Sequence, residues 1–206
     1  MVKVDDIERA IKDIEHLNRD LVRLGRRATP DIVGFYGELL AWKELKSRFE
    51  RSGYLVNLGQ GQSRADIVVV KGKIRINVEV KTSRLKEEWH GKGYGFALNI
   101  KKCGKHRGIA FQHPIRGKVH GCFCYFDFLI GVLLSDDLKK KAFYIFPRQF
   151  IEKNEKALRN IDKRFSSATH RMVFLGKPSD SRLITKFDRA FVKSKAGFKN
   201  KWAAIK

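Results

Sequence analysis

The sequence predicts an α/β fold, a mixed β-sheet flanked by helices with an added N-terminal helix and a basic C-terminal extension, and three observations predict it. Apolar residues recur at helical spacing through roughly the first fifty positions. Beyond them the period shortens to two, over segments rich in Val, Ile and Phe that are punctuated by Gly, Asn and Asp. With 43% hydrophobic residues and only four prolines in 206, the chain also has enough apolar matter to bury a core. Length and the lack of a clean linker or internal repeat suggest one domain. Residues 1–28 would form its N-terminal helix, 31–147 its core and 148–206 the basic extension.

The first element places Ile7, Ile11, Ile14, Leu17, Leu21 and Leu24 on one helical face, ending at Gly25, Thr29 and Pro30. A second helix should run from a cap at Asp31 to Ser52, with Gly53 as its left-handed stop. Tyr54–Leu58, Ala65–Val70 and Ile74–Lys81 read as strands, the last two joined by a tight turn at Gly72-Lys73. Glycines interrupt every period between 84 and 120, where the alternation Tyr94, Phe96, Leu98, Ile100 predicts a strand. Cys122–Leu134 and Ala142–Phe146 read as further strands, Gln149–Phe165 as a basic surface helix, and Met172–Leu175 as a short strand.

Charge excludes some functions and favours others. There are 44 Lys and Arg against 22 Asp and Glu, a net charge of +22, which suits a polyanionic partner because each cation set on a phosphate releases condensed counterions. No apolar run approaches the roughly 20 residues of a membrane span, the longest being Phe128–Leu134. Met1-Val2-Lys3-Val4-Asp5-Asp6 lacks an apolar secretory segment, so an intracellular, cytoplasmic protein is expected. An odd cysteine count, three, argues against a disulfide framework.

Chemistry enters through the few acids. On the second helix Phe35, Trp42, Leu45 and Phe49 share a stripe with Glu38. A carboxylate turned toward a core is costly unless it is paired or meets a cation. In the strand Ile74–Lys81, Arg75, Asn77, Glu79 and Lys81 take the face opposite Ile74, Ile76, Val78 and Val80. If Gly72-Lys73 is a two-residue turn, Lys71 faces Ile74 and Asp66 faces Glu79, with Cβ atoms roughly 5 Å apart. Carboxylates that close repel unless a cation lies between them. Mg²⁺ is held by one or two carboxylates with waters and phosphate oxygens, and a neighbouring lysine can offset charge on a phosphate. Asp66, Glu79, Lys81 and the inward Glu38 therefore form a candidate catalytic site. A solvent-exposed hairpin of alternating charges would show the same residues. Three independent features favour the site: the inward Glu38, the turn that sets the register, and the surplus of phosphate-binding charge.

The order Gly37-Glu38-Leu39-Leu40-Ala41, Gly53-Tyr54, Ala65-Asp66-Ile67-Val68-Val69-Val70, Val78-Glu79-Val80-Lys81-Thr82 resembles the PD-(D/E)XK phosphodiesterases, the restriction-endonuclease-like nucleases. Within that family it looks most like archaeal Holliday-junction resolvases and small restriction enzymes. The resemblance covers about residues 34 to 83 and implies metal ligation by Asp66, Glu79 and the main chain of Val80, a catalytic role for Lys81, and assistance from Glu38. Ala65 stands where the family's name has proline, and a Gly-broken basic stretch follows Lys81 where the family usually has a helix. The implied activity is Mg²⁺-dependent hydrolysis of DNA phosphodiesters, with Mn²⁺ able to substitute. A homodimer would suit cleavage of two strands. The rival reading is a non-catalytic basic nucleic-acid-binding protein on the same fold.

Gln60, Gln62, Ser63 and Arg64 precede Asp66 in a polar loop suited to a phosphodiester backbone. Between 84 and 120 nine Lys or Arg meet two acids, with Trp89, Tyr94 and Phe96 interleaved, and Arg84, Lys92, Lys101, Lys102, Lys105 and Arg107 are the expected DNA contacts. The tail around Phe198-Lys199-Asn200-Lys201-Trp202 has a similar character. Cys103, His106, His113, His120, Cys122 and Cys124 fit no zinc-knuckle spacing, and small buried residues are the simpler account of the cysteines. Asp127, on an apolar strand, is expected to be a structural hydrogen bonder.

Overall fold

The computed structural model describes residues 3–59, 65–84, 95–99, 101–102, 109–113, 117–122, 125–139, 141–153, 170–174 and 198–205. Helix α1 spans Val4–Arg23, with Asp5 and Asp6 in its first turn and Arg23 in its last, both favourable to the helix dipole. It stops because Gly25 takes φ 66°, and Gly25 N and Arg26 N donate to the Val22 and Leu21 carbonyls. Ile7 and Ile11 are buried and Ile14 and Leu21 pack beside them. The expected face is rotated at its far end. Leu17 and Leu24 are exposed, and Asn18 is buried instead, donating from Nδ2 to the Asp136 carbonyl at 3.1 Å.

Helix α2, Pro30–Phe49, is capped by Thr29 rather than by Asp31, because Pro30 pre-sets the first helical φ and the Thr29 hydroxyl accepts from Ile32 N. A single 3₁₀ turn, Glu50–Ser52, carries it to Gly53 at φ 77°. Both flanks of α2 are buried, which explains its nearly continuous apolar sequence. Trp42 Nε1 donates to the Val56 carbonyl at 3.1 Å on one side, and the Tyr36 hydroxyl donates to Glu15 on α1 at 2.6 Å on the other. Phe35 departs from the predicted stripe and is 49% exposed.

The strands are β1 (Leu55–Leu58), β2 (Ile67–Lys71), β3 (Ile74–Arg84), β4 (Gly95–Asn99), β5 (Lys101–Lys102), β6 (Ile109–His113), β7 (Gly117–Cys122), β8 (Phe128–Leu134), β9 (Lys141–Pro147) and β10 (His170–Phe174). Five of them form a mixed sheet in the order β1-β2-β3-β8-β9, in which only the β3/β8 pair is parallel. Strands β4 and β10 pair with each other, and β7 lies between β5 and β6. The predicted strand Cys122–Leu134 is two strands. Asp127 separates them, trading hydrogen bonds with Asn77 so that β8 starts afresh beside β3. Of the helix expected over Gln149–Phe165, α3 occupies Arg148–Lys153, and the remainder lies outside the described residues.

Alternation on β8 divides the core. Ile130, Val132 and Leu134 face α1, α2, Trp202 and Ile205, whereas Leu129 and Leu133 face Phe96, Leu98, Phe126, Phe146 and Ile151. The tail residues thus have core roles: Trp202 packs on Phe143 at 5.2 Å and Phe198 on Phe150 at 4.5 Å. Phe96, expected among base-stacking aromatics, is fully buried over Gly131, where a Cβ would overlap its ring.

Candidate active site

The site forms where one strand of the hairpin ends before the other. Gly72, at φ 55°, makes the turn, Lys71 faces Ile74, and the register runs to Ile67 opposite Val78. Asp66 N extends the ladder by one bond to the Val78 carbonyl. There β2 stops, while β3 continues to Arg84 against β8. The next amide on that open edge, Val80 N, must find an acceptor, and the Asp66 side chain supplies it, Oδ2 accepting at 2.7 Å. The same geometry turns the Val80 carbonyl toward the edge vacated by β2.

Lys81 fills this corner. Its Nζ lies 2.6 Å from Glu79 Oε1, 3.1 Å from the Val80 carbonyl oxygen and 3.9 Å from Asp66 Oδ2. Glu79 is buried, with 7% of its side chain exposed, and Asp66 and Lys81 are 26% and 30% exposed. An ammonium thus sits at the convergence of two carboxylates and a peptide carbonyl. These are all hard oxygen donors, a set that fits Mg²⁺ completed by waters and substrate oxygens. Among the described residues no group of three or more His, Cys, Asp or Glu side chains is arranged to hold a metal ion, so any cation here would rely on that carbonyl and on water.

Glu38 enters from α2. Gly37, the residue before it, lets the helix close onto β3, because a Cβ at this position would overlap the Thr82 side chain. The contact brings Glu38, half-buried, within the field of the other acids. Its carboxyl is pushed up to about 7, first by burial and then by Asp66 and Glu79, against the opposing pull of Lys81. Tyr125 is a member of this neighbourhood that no sequence pattern singled out. Its buried hydroxyl is held above the usual tyrosine range by desolvation and by the charges of Glu79 and Asp66. It lies before β8 in the break that the continuous-strand reading concealed.

Of the other residues singled out in the sequence, Arg84 departs from its expected place and Asp127 takes the structural role expected of it. Arg84, expected at a DNA surface, is only 5% exposed and donates from Nη2 to the Ala28 carbonyl at 2.8 Å, clamping the α1–α2 loop to β3. Asp127 is structural: Oδ2 accepts from Asn77 N at 2.9 Å and Oδ1 lies 3.8 Å from Arg148 Nη1. Lys101 and Lys102 form β5 beside Gly121 and Cys122. Gln60, Gln62, Ser63, Arg64, Lys92, Lys105 and Arg107, with Trp89, Tyr94, Cys103, His106 and Cys124, lie outside the described residues.

No family model matches the chain, and no curated protein does. Solved structures with partial likeness include the following two. One is a bacterial homing endonuclease, I-Ssp6803I, at TM-score 0.41 and 18% identity over 86% of this chain and 93% of that one. The other is MepB, at TM-score 0.34 and 12% identity over 77% of this chain and 94% of that one. At these values the likeness carries no functional assignment. Among the described residues no helix is long and apolar enough to cross a membrane.

Proposed function

We propose that the chain is a divalent-metal-dependent DNA endonuclease of the PD-(D/E)XK type, hydrolysing phosphodiester bonds in a restriction or a junction and repair role. The observation that carries the reading is the convergence of Asp66, Glu79 and the Val80 carbonyl on Lys81 Nζ at the open edge of β3. Asp66, Glu79 and Val80 would hold Mg²⁺, or Mn²⁺ in its place, where the ammonium now lies. When bound, the cation would supply Lewis acidity toward a phosphate oxygen and an acidified water. Lys81, displaced from the acids, would offset negative charge gathering on the phosphoryl oxygens. Glu38, with a carboxyl poised near neutral pH, would orient the attacking water and exchange protons with it. The +22 surplus would capture the polyanion, so binding should weaken steeply with salt. A homodimer would present two such sites to two strands.

The test incubates plasmid, linear duplex and four-way-junction DNA, with an RNA duplex alongside, with wild type, Glu79→Ala and Lys81→Ala in Mg²⁺. Wild-type cleavage that disappears in EDTA and in both variants supports the reading. Discrete fragments would indicate restriction and cleavage of the junction alone would indicate resolution. Intact DNA with wild type, or equal cutting by both variants, overturns the reading and leaves a non-catalytic nucleic-acid-binding protein.

A further inference from the structure

The sheet-facing row of α2 changes character at the site. Ala41 and Leu45 are fully buried, Glu38 is half-buried, and at Gly34, one turn further toward the N-terminus, a Cβ would meet nothing within 4 Å among the described residues. Glycine is the poorest helix-interior residue after proline, because it gives up the most backbone freedom. Gly37 has a packing reason, the Thr82 side chain lying where its Cβ would be, but among the described residues Gly34 has no such neighbour, and α2 is regular there. Beside it Phe35 is exposed, whereas the other large apolar side chains of α2 are buried or partly so. An exposed ring stands next to space that the described residues leave open, both within one turn of Glu38.

We propose that Gly34 and Phe35 form the seat of the nucleotide flanking the scissile phosphate: the sugar-phosphate backbone passes over Gly34, and the Phe35 ring packs against the adjoining base. This rests on the nuclease reading above and extends it to a substrate-positioning element. A base on an aromatic ring is a sequence-tolerant contact, and a bare glycine lets a phosphodiester approach a helix more closely than any side chain allows. Continuity with the acids and the chain's surplus of positive charge make nucleic acid the occupant rather than an apolar protein segment. Phe35 and Gly34 are positioning residues here. On that reading the reacting groups are Asp66, Glu79, Lys81 and Glu38.

The test compares wild type, Gly34→Ala, Phe35→Ala, Phe35→Trp and Leu55→Ala, the last a control at an exposed apolar residue on the outer strand β1. Cleavage gives kcat and KM, and the same substitutions in a Lys81→Ala background give Kd by fluorescence anisotropy on a labelled DNA. Phe35→Ala should raise KM and Kd about tenfold with little change in kcat, and Phe35→Trp should restore both. Gly34→Ala should keep or raise Tm while raising Kd about tenfold, opposite signs that a purely structural glycine cannot produce. Leu55→Ala should behave as wild type. If wild type cuts DNA while Gly34→Ala and Phe35→Ala keep its KM and Kd, this inference alone is overturned. If wild type cuts nothing, the nuclease reading falls and the inference with it.

Discussion

Two acidic corners lie along β3, and they use their carboxylates in opposite ways. At one, Asp127 N donates to the Asn77 carbonyl and Asp127 Oδ2 accepts from Asn77 N, its carbonyl accepts from Arg148 N, and its other carboxylate oxygen faces Arg148 Nη1, so its polar atoms join β3 to the start of α3. At the other, Asp66, Glu79 and Glu38 crowd together around the ammonium of Lys81, and Glu38 is driven toward its neutral form. The first corner is settled by the chain itself. Like charges gathered at the second oppose stability, and such an arrangement characterises sites that work on something else.

Five substitutions test that contrast, in order of decreasing effect. Glu79→Ala and Lys81→Ala should each lower kcat/KM by about 10²–10³ or more, with Tm within a few degrees of wild type, checked by quantitative plasmid cleavage and thermal melts. Gly37→Ala drives a methyl into Thr82 and should cost about 1–3 kcal/mol. It should also lower cleavage by moving Glu38, an effect separated from unfolding by assaying at 20 °C below Tm. Asp127→Ala leaves Asn77 N without its acceptor and should cost about 1–2 kcal/mol in urea denaturation. Its cleavage per folded molecule should be unchanged, the reverse of the Glu79 result.

The smallest effect depends on pH. In the metal-free chain the folded state holds the Glu38 proton more tightly than the unfolded state, whose carboxyl titrates near 4.5. Stability from this group is therefore full below about 4.5 and is lost as pH rises through about 7. Glu38→Gln should match wild type in its Glu38-linked stability at low pH. Above pH 7 it should exceed wild type by about 1 kcal/mol after allowing for solvent screening at a half-exposed site, read as about 2–4 °C in Tm. A flat difference between the two melting curves from pH 4 to 8 would remove the electrostatic account of Glu38.

Sequence made much of this site legible because strand alternation and a two-residue turn are local rules. Gly72-Lys73 alone sets Lys71 against Ile74, and counting back brings Asp66 to Glu79. What stayed hidden depends on contacts distant in sequence. Arg84 looked like a DNA cation because nothing local shows that the Ala28 carbonyl waits for it 56 positions away. The apolar run Cys122–Leu134 looked continuous because the break at Asp127 is enforced by Asn77, on another strand. Phe35 belongs to the predicted stripe, yet helical periodicity cannot show which residues of a stripe the rest of the fold covers. Gly37, an isolated glycine immediately before Glu38, was a local signal of close approach.

On the proposed function, the Asp66–Glu79 corner should take a divalent cation and the Asp127 corner should not. Mn²⁺ titration followed by electron paramagnetic resonance of the free ion tests it, using wild type, the double variant Asp66→Asn/Glu79→Gln, and Asp127→Asn. Saturable binding by wild type and by Asp127→Asn, lost in the double variant, is expected. Equal binding by all three proteins, or none by wild type, would contradict it.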